Sequence, residues 1–96
     1  MEEVNTVFIV GISNAAENRM VSPHRTYEGA LKAWHEVRLR LIWKAAEMVE
    51  VLRAEDPNDT ADIWLETIEN LQCEDPSAID NDVLDCPYIA EYRLMD

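Results

Sequence analysis

From Tyr27 to Leu52, apolar residues recur at steps of three or four: Tyr27, Leu31, Trp34, Val37, Leu41, Ala45, Met48 and Leu52. That period predicts a single amphipathic helix over about 27–54, roughly 40 Å long at 1.5 Å per residue. Thr26 stands at the position of an N-cap, where its hydroxyl can accept from an orphan first-turn amide, and Glu28 complements the positive end of the dipole. In a chain of 96 residues such a helix is the backbone of the fold, and the other elements must arrange themselves along it.

Those elements are shorter. Residues 4–12, VNTVFIVGI, are rich in β-branched and aromatic types and end at Gly11 before the polar SNAAEN stretch, predicting a strand and then a loop. Residues 19–22, RMVS, can return along that strand as a hairpin and stop where Pro23 removes a backbone donor. Pro57 within AEDPND ends the long helix, and Asp59 or Thr60 is placed to cap a second one over about 60–72. Ala61, Trp64, Leu65, Ile68 and Leu71 are its expected inward stripe. A loop follows, and then Tyr88, Ala90, Tyr92 and Leu94 alternate with Ile89, Glu91, Arg93 and Met95, which predicts a strand over 88–95 beside residues 4–12. The expected fold is α+β: a small antiparallel sheet with one long and one shorter helix on one face, in the order β-β-α-α-β, as a single domain over 1–96.

Hydrophobic residues make up 48% of the chain, enough for one modest core, so the net charge of −12 does not imply disorder. No basic amino-terminal segment leads into an apolar run, and no uninterrupted apolar segment approaches the length of a membrane span. The expectation is a soluble protein of the cytoplasm, including a host's cytoplasm if it is phage-encoded. Cys73 and Cys86 lack CxxC spacing, and reduced thiols are expected for both.

The distribution of charge is more informative than its sum. Residues 54–92 hold twelve acids and no Lys or Arg, whereas Lys32, Arg38, Arg40, Lys44 and Arg53 slightly outnumber the acids between 26 and 53. Like charges four apart on a helix, such as Asp62 and Glu66, destabilise it by a few tenths of a kcal/mol, which interspersed lysines would avoid. Phosphate contacts need Lys and Arg, so direct binding to nucleic acid or an anionic membrane is disfavoured and a basic protein surface is the natural partner. The candidate partner-binding residues are Asp59, Asp62, Glu66, Glu69, Glu74, Asp75, Asp80, Asp82 and Asp85. Leu39 and Trp43 form a second apolar stripe with Ala46, beside Arg40 and Lys44. The second helix is expected to cover it; the alternative is an exposed contact for a partner or a second copy of the chain.

Acids on one helix face lie about 5–6 Å apart, comparable with neighbouring phosphates along a strand. In charge and size the chain resembles the small acidic DNA-mimic proteins of phages and mobile elements that block restriction, CRISPR or other defence machinery. What the resemblance implies is an inhibitor that occupies a basic nucleic-acid-binding surface.

The sequence lacks the common catalytic and metal-binding signatures. His35-Glu36-Val37-Arg38-Leu39 lacks the second histidine of a zinc-protease helix, and His24 has no ligand partner at metal spacing. Asp80, Asp82 and Glu91 fall at positions one, three and twelve of a calcium loop, but Asp85 stands where glycine is required. With Gly11 and Gly29 as its only glycines the chain cannot form a phosphate-binding loop. The expectation is a non-enzyme with no cofactor and no metal: an acidic protein-binding module, or alternatively a small assembly protein that self-associates through the long helix while its acids serve solubility.

Overall fold

The computed structural model describes residues 6–14, 18–80 and 85–93. The elements are β1 (Thr6–Ser13), β2 (Asn18–His24), α1 (Tyr27–Glu55), α2 (Asp62–Leu71) and β3 (Cys86–Arg93), which is the expected β-β-α-α-β order. The sheet is antiparallel throughout with strand order β2-β1-β3, so the last strand lies beside the first. Residues 4, 5, 94 and 95 of the expected strands lie outside the described residues.

Two strand boundaries differ from expectation, both at prolines. Pro23 does not end β2 but pairs with Ile9, and Pro87 lies inside β3 opposite Ile12. Both strands are edges, where a missing backbone donor faces away from the ladder at no loss of pairing. The register shifts between Val10 and Gly11, leaving Val21 as an extra residue on β2. A Cβ on Gly11 would overlap the Tyr88 ring and come within 2.7 Å of the Arg19 carbonyl oxygen, so glycine is required there by close packing.

α1 begins as its sequence implies: the Gly29 amide donates to the Thr26 hydroxyl at 3.0 Å. Its 29 residues span about 43 Å at 1.5 Å per residue. Ala30, Trp34, Val37 and Leu41 pack with Val10 of β1, Leu71 of α2, Ile79 and Cys86, while Phe8, Ile12, Leu31 and Ile89 border this core. Trp34 is fully buried and anchors it, its indole N–H donating to the Pro87 carbonyl at 2.9 Å.

α2 starts at a different residue from the one expected. Ala61 is the N-cap and adopts a left-handed conformation with φ of 54°, without a side-chain cap. Asp59 acts one step earlier, its Oδ1 accepting from the Ala61 amide at 2.8 Å. The inward stripe is Ala61, Trp64, Thr67, Ile68 and Leu71; Leu65 instead is 40% exposed. At 100° per residue the line through Trp64, Thr67 and Leu71 rotates Leu65 to the flank, and Thr67 enters by donating its hydroxyl to the Ile63 carbonyl at 2.9 Å.

The molecule is long. Its extents are 62 × 23 × 19 Å and its radius of gyration is 16.0 Å, against roughly 12–13 Å for a compact domain of this length. Among the described residues no helix is long and apolar enough to cross a membrane.

Candidate acidic docking surface

Asp62, Glu66 and Glu69 succeed one another at steps of four and three, directed away from the buried stripe of α2, and all three are exposed. Among the described residues none of them is in an ion pair; the two ion pairs present involve other acids. No basic residue stands in the last turn of the helix either. Helical geometry therefore gathers three uncompensated carboxylates into one row.

The other candidate acids have local partners. Glu74 lies 3.8 Å from the Arg38 guanidinium yet remains exposed. Asp75 accepts at Oδ1 from the Ser77 hydroxyl at 2.7 Å and the Ser77 amide at 2.9 Å. The hydroxyl first, and the amide next, hold its carboxyl below the usual carboxylate range. Asp59 is half-buried in the turn before α2. Asp80 is exposed, and its backbone is fastened to α2 by both ends of the Asn70 side-chain amide, each at 2.9 Å. That pair of hydrogen bonds to Asn70 fixes part of the loop to the helix that carries the acid row.

Asp85 has a different place from the one expected of a partner-binding residue. It is buried, with φ of 55°, and its Oδ2 lies 2.8 Å from the Lys44 ammonium while Oδ1 accepts from Asn14 at 3.3 Å. A carboxylate in an apolar setting needs a cation and donors, and Asp85 finds them on α1 and at the end of β1. Asp82 lies outside the described residues.

Trp43 also departs from expectation. α2 does not cover it, and it is 78% exposed. With Leu39, Arg40, Lys44 and Glu47 it lines an open cleft of about 460 Å³. The reason is on the neighbouring side of α1: Arg38, one of the five basic residues counted between 26 and 53, is buried under the end of α2. Its guanidinium donates to the Leu71 carbonyl at 2.7 Å and lies 5.9 Å from the Trp34 ring centre. α2 is thus drawn to the Arg38 side of the long helix, where a cation satisfies a terminal carbonyl.

Neither Cys73 nor Cys86 is in a disulfide. Burial, and to a smaller extent the Asp80 charge, push the Cys86 thiol from 9.0 up to about 11. A thiol-specific reagent is expected to label Cys73 in the native protein and Cys86 only after unfolding. An unfolded chain ionises its thiol near 9.0, whereas the folded one holds the proton up to about 11. The stabilisation from this group is therefore complete below pH 9.0 and lost as pH rises towards 11, and melting curves on either side of pH 9.0 should show the decline.

Among the described residues no group of three or more His, Cys, Asp or Glu side chains could hold a metal ion. Comparison of the chain with protein-family models, with curated proteins and with solved structures finds no match to any of them.

Proposed function

We propose that the chain is a non-catalytic acidic binding module whose α2 carboxylates dock on a basic surface of a nucleic-acid-handling protein, in the manner of a DNA-mimic inhibitor. The observation that carries this reading is the row Asp62, Glu66 and Glu69, exposed and, among the described residues, in no ion pair. The helix backbone beneath the row is packed and ordered, so docking must order only the carboxylate side chains. Glu74, Asp75 and Asp80 continue the anionic character into the following loop, and Leu39 and Trp43 offer an apolar contact.

The test is competition. Proteins captured by the immobilised chain at low salt are challenged with duplex DNA and with high salt. A bound partner should be displaced by DNA and released as ions screen the contact. The triple substitution Asp62→Asn, Glu66→Gln and Glu69→Gln should weaken capture by about tenfold or more. Binding indifferent to salt, DNA and these substitutions refutes the proposal.

Exposure of Trp43 favours a second reading, self-association through the long helix. An antiparallel pair centred on Trp43 would set Glu36 against Glu50 of the other copy, since each lies seven positions from Trp43, and both are exposed acids. That repulsion places the second reading behind the first.

A further inference from the structure

The sheet has two faces, and the helices take one. Phe8, Val10 and Ile12 of β1 and Ile89 of β3 belong to the helix side, where they pack in or against the core. Alternation then sends Val7, Ile9 and Gly11 to the other side. The register sets Tyr92, Ala90 and Tyr88 beside them on β3, with Pro23 beside Ile9 and Met20 beside Gly11 on β2. These eight residues are uncharged and nearly all apolar. The charged strand residues Arg19, Glu91 and Arg93 pair with Ile12, Phe8 and Thr6 instead, on the helix side. Met20 is 67% and Tyr92 57% exposed on the open face.

An antiparallel sheet with one solvated face normally alternates apolar with polar residues. β1 does not: its TVFIVGIS is apolar on both sides, the pattern of a strand covered on both faces. We propose that the open sheet face is a homodimer interface, in which two copies stack sheet against sheet.

Charge selects the second copy as the occupant. Among the described residues a basic partner would find no carboxylate on this face. Two molecules of net charge −12 repel least where acids are absent, and among the described residues this face has none. Stacked sheets lie about 10 Å apart, and a helix layer adds about 10 Å on each outer side, so the α2 acid rows end up on opposite exteriors. Their separation then exceeds the Debye length of about 8 Å at physiological salt several times over. Area sets the strength of the contact: three strands of about eight residues form a face of roughly 25 × 14 Å, about 350 Å² per copy, so stacking two covers roughly 700 Å², the size of a weak, concentration-dependent association.

The experiment is sedimentation equilibrium or light scattering on the full chain over a wide concentration range, at physiological and at high salt. A particle of twice 11.1 kDa is expected, persisting or strengthening at high salt, because the contact is apolar and the repulsion is screened. Ile9→Lys and Tyr92→Glu should each weaken the dimer by about tenfold or more, whereas Trp43→Ala should leave it intact. Tyr92 is exposed at the strand end, so its variant tests the face even where Ile9→Lys impairs folding. The melting temperature of the unaltered chain should also rise with concentration. A monomer at every concentration with a constant melting temperature overturns the proposal, as does a dimer that survives both face substitutions or is broken by Trp43→Ala. The inference is independent of the docking proposal: a dimer indifferent to basic partners would remove that proposal and leave this one standing.

Discussion

Replacing Trp34 with alanine is expected to remove about 3–5 kcal/mol of stability, a large share of the roughly 5–14 kcal/mol that a domain of this size possesses. The indole is fully buried between α1 and the sheet, with its N–H on the Pro87 carbonyl and the Arg38 guanidinium over its ring. Truncation leaves a cavity at the centre of a core with few large side chains, and it strands the carbonyl of a buried residue. Far-ultraviolet circular dichroism during urea unfolding is the appropriate measurement. The alanine variant should unfold at a much lower urea concentration than the parent, while Trp34→Phe should lose chiefly the hydrogen bond, about 1 kcal/mol, and its change in area. An alanine variant that melts cooperatively near the parent temperature would mean that the core is organised elsewhere.

Lys44→Met is expected to be the next most damaging change, at roughly 2–4 kcal/mol. Removing one partner of a buried pair costs about 3–5 kcal/mol, and the partial exposure of the ammonium reduces the effect here. Lys44 reaches Asp85 at 2.8 Å and lies 5.5 Å from the Trp64 ring centre, so one side chain joins α1 to α2 and to the start of β3. Without it, Asp85 is a buried carboxylate with Asn14 as its remaining hydrogen-bond donor of those described above. Asp85→Asn keeps a residue that tolerates the left-handed backbone and removes the charge, so adding it to Lys44→Met should recover part of the loss. Additive losses in that double-mutant cycle would show that the pair is not coupled.

The elements of this fold were legible because they are written locally. Apolar periodicity placed α1, Thr26 marked its start, and β-branched residues marked β1. What escaped was long-range. Arg38 looks like any surface cation until Leu71, 33 positions later, presents it with a carbonyl. Lys44 and Asp85 meet across 41 positions, and neither spacing nor period connects them. Ala61 adopts a conformation that its side chain does not favour, held by the Asp59 bond and the packing of α2. Of the candidate site, the row on α2 was readable as helical spacing. The withdrawal of Asp85 into the interior was not, because a buried carboxylate and a solvated one have the same letter. The open sheet face did leave a signal, in the apolar character of β1 on both sides, but its meaning depended on where the helices went.

The length of the molecule bears on how its assembly state is measured. A body of 62 × 23 × 19 Å drags more solvent than a sphere of equal mass. A single copy therefore emerges early from a gel-filtration column calibrated with globular standards, at a volume that imitates a larger particle. Hydrodynamic radius and molar mass diverge for such a rod, and only a method sensitive to mass itself counts the copies.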